Sequence, residues 1–384
     1  MSNELNTVTI DTEKDTEAVV DNAQLGENVE NAIELKEVEG LSQGTIVMRR
    51  FLRHRGAMVS AAVLILLVLL VATSIGWGPI PGWWQFGIRD ISPIARTGGA
   101  PTMGFYDGGF HIGTHPFGQD NIGRDVFALV MRGAQQSLTV MVVIGILATV
   151  IGVLLGALSG FFGKWVDNVI MRFTDMIITV PVIMVGAILG VLVGGANPWT
   201  LAIALSFVTW TSMARLVRAQ FLALRELEFV DAARVAGASN ARIMFKHILP
   251  NAVGVIIVNA TLLMASAILL ETALSFLGFG INHPEVSLGQ LINEYQTAFA
   301  TRPWLFWWPG VFIVTIALCV NFIGDGLRDA FDPRQRRIPT KRALLKAEAK
   351  RTAKAAKALA NSAKTGAIPA VSAPAAAAQG STGA

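Results

Sequence analysis

The chain has 384 residues, 53% of them hydrophobic and only 15% charged, with a mean hydropathy of +0.53. A soluble domain carries about 25% charge, and here the apolar residues come in blocks, so the composition points to a polytopic membrane protein. The formal charge of +4 hides two opposed ends, and the single cysteine, Cys319, excludes an internal disulfide framework or a multi-cysteine metal site.

Residues 1–45 read as a solvated, disordered tail. Within 1–41 there are eleven acids against Lys14 and Lys36, a net of −9, and no aromatic residue. Such a segment buries too little apolar area to offset its ordering entropy. A basic lead, "MRRFLRHRGAM", follows directly, and 46–76 holds this lead and the first span. That span, 57–76, is too long and too far from the start for a cleaved leader, so it reads as an uncleaved signal anchor. Residues 77–137 are rich in Gly, Pro and Trp and read as a loop-rich outer segment without its own core. Residues 138–333 form the core, with apolar runs at 138–162, 176–194, 199–216, 252–276 and 304–324, each near the ~20 residues a bilayer requires. Cys319 sits in the last run as a packed residue. Residues 334–384 are a basic, Ala/Lys-rich stretch, helix-prone over 341–364, followed by a low-complexity end.

Lys and Arg near the span ends set the orientation. Arg49, Arg50, Arg53 and Arg55 put the N-terminus in the cytoplasm. Connection 217–251 carries Arg218, Arg225, Arg234, Arg242 and Lys246, whereas 195–198 carries none and 277–303 only Arg302. The expected fold is an all-α polytopic membrane protein with six transmembrane helices, connections 161–175 and 217–251 inside, and both termini cytoplasmic. The four arginines of 77–137 run mildly against this rule.

Catalytic motifs are missing. No G-x-x-x-x-G-K-[ST] loop occurs: in "GFFGKW", Trp165 stands where a Ser or Thr must reach Mg²⁺. The chain is therefore not expected to hydrolyse ATP. His111 and His115 are four apart, but "HIGTHPF" contains Gly and Pro, so a helical metal pair is not expected. Glu271, in "ILLETALSF", is the one carboxylate well inside an expected span. It faces a pathway or locks helices, or it lies near the outer headgroups within reach of water. Asp175 and Asp325 read as interfacial.

The polar stretch "EFVDAARVAGASNARIMFKHILPN" reads as two short helices. The first ends at Ala236, with Gly237 suited to a positive φ. Ser239 caps the second, which is expected to stop at Pro250. Ala232, Ala233 and Ala236 leave a small-residue surface for close approach of another protein, and Ile243, Met244, Ile248 and Leu249 can face the membrane domain.

This stretch resembles the EAA loop of binding-protein-dependent ABC importer permeases. Asp231, Ala232, Ala233, Gly237, Leu249 and Pro250 occupy the family's positions, with Asp231 in place of the usual Glu. "HPFGQDNIGRDVFALVMRGAQQSL" at 115–138, "LLETALSFLGFG" at 269–280, "NFIGDGLRDAFDPR" at 321–334 and the basic lead "RRFLRHRGAM" narrow the resemblance to the C-type subunit of dipeptide and oligopeptide importers. It covers about 46–337.

The resemblance implies a type I ABC importer permease fold. It implies a second permease subunit, two ATP-binding subunits, an extracytoplasmic solute-binding protein, membrane lipids and a peptide substrate, and no nucleic acid. It places ATP and Mg²⁺ on the ATPase partners, with no cofactor on this chain. It makes Glu228, Asp231, Ala232, Ala233, Gly237, Ser239, Ile248, Leu249 and Pro250 the ATPase-coupling residues. Nickel-chelate and glutathione importers share these motifs. An ion-coupled secondary transporter is the alternative class, and would show inverted repeats and mid-bilayer carboxylates.

Overall fold

The computed structural model describes residues 43–106, 109–194 and 197–331. The acidic tail over 1–41 and the basic stretch of 334–384 lie outside them. Eleven helices are described. They are α1 (Gln43–Arg53), α2 (Arg55–Ser74), α3 (Val126–Phe162), α4 (Lys164–Thr179), α5 (Val182–Val193), α6 (Pro198–Thr209), α7 (Thr211–Leu224), α8 (Glu228–Val235), α9 (Asn240–Phe276), α10 (Leu288–Tyr295) and α11 (Trp304–Phe331). Four of them, α2, α3, α9 and α11, are long and apolar enough to cross a membrane, and the number is six if each of two bent pairs crosses once.

Helix α3 is the axis of the molecule. Its 37 residues extend roughly 55 Å at 1.5 Å per residue, well beyond a ~30 Å hydrocarbon layer. It starts at Val126, twelve residues before the expected 138. The added stretch contains Arg132, Gln135, Gln136 and Ser137, which broke the apolar run on paper. In the fold these groups are satisfied internally. Gln135 Nε2 donates to the carbonyls of Val71 (2.9 Å) and Gly76 (2.8 Å), and Gln136 Nε2 donates to Glu285 (2.7 Å). A stripe of glycines at the other end of α3 lets α7 approach. A Cβ on Gly152, Gly156 or Gly160 would lie 2.6, 2.5 and 2.6 Å from Met213, Ala214 and Phe221. Small residues spaced by four bring helix backbones together in this way.

The third and fourth expected spans are both bent. Helix α4 occupies most of connection 161–175, and α4 and α5 meet at 84°. The charges of Lys164, Asp167, Arg172 and Asp175 masked this helix in the apolar pattern. The break falls at Val180, extended at φ −91°, ψ 128°, because a residue before proline is pushed out of the helical region. Helices α6 and α7 bend by 43° at Trp210. Thr209 Oγ1 donates to the Leu205 carbonyl (3.1 Å), a back-bond that bends helices. Helix α7 runs on to Leu224, so the 217–251 connection is shorter than expected.

The segment between α2 and α3 packs into the main core. Trp77, Trp84, Met103 and Phe117 join the apolar cluster built by α2, α3, α10 and α11. It does carry a short hairpin, β1 (Gly104–Tyr106) against β2 (Gly109–His111), pairing Phe105 with Phe110. Its anchor is Asp125, fully buried at the N-cap of α3. That carboxylate accepts from the Ala128 amide (2.9 Å), Trp84 Nε1 (2.8 Å) and His115 Nδ1 (2.8 Å). His115 is thus a structural partner, and no cluster that could hold a metal occurs among the described residues. Removing the acceptor orphans three donors, each costing about 1–3 kcal/mol when buried. Asp125→Ala is therefore expected to lower the thermal unfolding midpoint of the detergent-solubilised protein clearly, and Asp125→Asn by less.

Candidate functional site

Helix α8 sits beside the C-terminal half of α3. It enters the core through Val230, fully buried with Met213, Val217, Phe221, Ile243 and Ile248. Its other face is open. Glu228, Asp231 and Ala232 are exposed, Ala233 is half-buried, and Val235 is 90% exposed. A valine that bare, on a helix anchored by its opposite face, presents a small apolar knob beside a carboxylate. Asp231 pairs with Arg234 at 2.9 Å, a surface i, i+3 pair of small energetic value.

The helix ends as its sequence demands. The Ala238 amide donates to the Ala233 carbonyl (3.0 Å) and the Gly237 amide to Arg234 (2.9 Å), the paired bonds of a Schellman end. Gly237 has φ +77°. Ser239 then caps α9, its Oγ accepting from the Arg242 amide.

Pro250 does not stop the second helix. Helix α9 passes through it and continues to Phe276. Just before it, Ile243–Ile248 form a π turn, in which the Leu249 amide donates to the Met244 carbonyl five residues back. The wider turn shifts the carbonyls that a proline ring would strike in an α-helix. Ile243, Met244 and Ile248 are buried, Leu249 is half-buried and Pro250 exposed.

The ground around α8 is tied together. Arg218 holds Asp167 of α4 through two bonds (2.5 and 2.6 Å), and Ser159 of α3 donates to the same carboxylate (2.5 Å). Arg225 donates to the Gly160 carbonyl (3.0 Å), meeting the partial negative charge at the end of α3. Asp175 pairs with Arg215 at 2.5 Å, both half-exposed.

Glu271 lies elsewhere. It is fully buried, accepting from Ser137 Oγ of α3 and Ser275 Oγ of α9, both at 2.7 Å. Ser137 and Gly160 are separated by roughly 35 Å along α3, so the fold does not bring Glu271 to the α8 site. Beyond it, Arg124 links Asp120 (2.5 Å) and Glu294 (2.7 Å), and Tyr295 donates to Asp120 (3.2 Å). Burial, reinforced by Glu294 and Asp120, raises the Tyr295 hydroxyl well above its ordinary pKa.

Residues 152–337 match the family described as the inner membrane component of binding-protein-dependent transport systems. Residues 42–79 match the N-terminal transmembrane domain of oligopeptide transport permease C. An oligopeptide transport system permease protein of Mycobacterium tuberculosis is 36% identical over 301 residues, covering 78% of this chain and 98% of that one. This chain is a member of that permease family. A putative peptide permease protein of Brucella ovis is 39% identical over 287 residues, covering 74% of this chain and 89% of its own. An inward-facing structure of the MetNI methionine ABC transporter aligns with a TM-score of 0.44 at 22% identity, over 53% of this chain and 97% of that one.

The permease is a multi-pass protein of the bacterial inner membrane. As a component of a binding-protein-dependent ABC system it works with ATPase and binding-protein partners. Three parts of it escaped sequence reasoning: the Asp125 anchor, the Arg218–Asp167 tie and the glycine stripe. The stripe was visible in "GVLLGALSG" as glycines four apart. The other two join residues 41 and 51 positions apart, and no local pattern announces them.

Proposed function

We propose that the permease moves peptides into the cell as one half of a heterodimeric membrane channel, with two ATP-binding subunits on the cytoplasmic side and an extracytoplasmic binding protein. Both its termini and α8 are cytoplasmic. ATP and Mg²⁺ belong to the ATPase subunits. The observation that carries this reading is α8 itself: a short helix with one buried foot, Val230, and an exposed face of Asp231, Ala232 and Val235. Peptide as the substrate rests on the names of the relatives.

Helix α8 is then the piece that an ATPase grips. Closure of the ATPase pair pushes on its exposed face, and Val230 passes the load into the cluster of α7 and α9. The Arg218–Asp167 and Arg225–Gly160 bonds make α3, α4 and α7 follow. The spans shift between two packed arrangements, inward- and outward-facing.

The test is uptake of labelled di- and oligopeptides by a strain carrying this system alone. Uptake is expected to stop when the ATPase partner is inactivated, and uptake that persists on an ion gradient would overturn the reading. Asp231 gives a finer check. Losing one charged contact worth about 1.5 kcal/mol should cut ATPase co-purification with Asp231→Ala roughly tenfold, while Asp231→Glu retains it. Unchanged co-purification and uptake in Asp231→Ala would remove this residue from the interface.

A further inference from the structure

Helix α1 carries a feature that the proposed coupling through α8 leaves unexplained. One flank of the helix, carrying Met48, Arg49, Leu52 and Arg53, faces outward. At 3.6 residues per turn, Val47, Phe51, Met48 and Leu52 share one arc of α1, and Arg49, Arg50 and Arg53 the other. The helix packs on α11, where Phe51 lies over Gly326 and His54 pairs with Asp329 at 3.3 Å. That contact covers only part of the apolar arc. Met48 and Leu52 remain 58% and 55% exposed. Arg49, Arg50 and Arg53 are exposed too, and none pairs with an acid among the described residues.

One residue, His54, separates α1 from α2. Its Nδ1 accepts from the Ala57 amide (3.0 Å) and caps the span. Val59, Val63 and Leu66 of α2 are exposed as well. With one residue between it and α2, a helix long and apolar enough to cross a membrane, this flank of α1 lies at the mouth of a candidate span.

We propose that this flank of α1 docks an anionic phospholipid of the surrounding leaflet, its acyl chain along Met48 and Leu52 and its phosphate between Arg49 and Arg53. Charge and position argue for it together. A soluble anion leaves Met48 and Leu52 unused, and a neutral lipid leaves three guanidinium groups unanswered. An amphipathic helix with arginines on its polar face binds anionic bilayer surfaces through both terms. Because α1 rests on α11, the bound lipid also braces the end of that helix.

The permease with its partner subunits is reconstituted in vesicles of phosphatidylcholine and phosphatidylglycerol, extracted in mild detergent, and the retained phospholipid is counted. Selective retention of phosphatidylglycerol is expected. An arginine at an anionic surface contributes about fivefold in affinity, so Arg49→Ala with Arg53→Ala should lower retention roughly 25-fold, and the paired lysine variant should keep most of it. Retention by the unaltered complex should fall as salt rises, a check that needs no variant. Deleting residues 2–41 should change nothing. Equal retention in the unaltered and double-alanine complexes, salt-independent retention, or retention only after that deletion would overturn the proposal. The last outcome would give this flank of α1 to the acidic segment instead.

Discussion

Gly237→Val is expected to abolish peptide uptake while leaving the permease inserted and the ATPase subunits bound and active. The glycine holds φ +77°, which costs an L-residue about 1–2 kcal/mol and a β-branched one more. A Cβ built there meets nothing within 4 Å, so the penalty is backbone strain and not a clash. The effect should therefore be graded, with Gly237→Ala keeping part of the uptake. What fails is the corner between α8 and α9. With the Schellman bonds lost, α8 can be pushed without turning α9. ATP hydrolysis and uptake measured side by side in reconstituted vesicles decide the point. Normal uptake by the valine variant would show that the corner needs no left-handed residue.

Glu271→Ala is expected to be the most damaging single change among the residues that join α3 to α9. The carboxylate joins α3 to α9 through Ser137 and Ser275 with no water access. Truncation leaves two buried hydroxyls without their acceptor and opens a cavity, together about 2–5 kcal/mol. Glu271→Gln keeps an acceptor and most of the volume. If the residue acts only by holding helices, the glutamine variant should transport peptide with a thermal midpoint near that of the unaltered protein. If its charge serves the pathway, the glutamine variant should be stable and inactive. Midpoint and uptake, measured on both variants, separate these roles.

The sequence was most informative where physics is local. The cap at Ser239, the positive φ at Gly237 and the apolar runs of α2 and α11 all follow from neighbouring residues. It was least informative where polar groups are neutralised at a distance. The first twelve residues of α3 look soluble until Val71, Gly76, Glu271 and Glu285 are seen to receive their hydrogen bonds. Helix α4 was hidden in the apolar pattern by its charges, of which Asp167 and Asp175 are answered from α7 by Arg218 and Arg215. At Pro250 the general rule was right about the ring and wrong about the outcome, since one widened turn accommodates it.

That widened turn has a consequence for motion. A π turn is one residue too many for the helix that carries it, and such a surplus can travel. Each step of its travel would roll only the residue it passes, by about a hundred degrees. Pro250, which has no amide hydrogen to give, fixes the slack on its α8 side. The proline thus acts as a detent: it holds the widened turn between Ile243 and Ile248, close to the corner at Gly237.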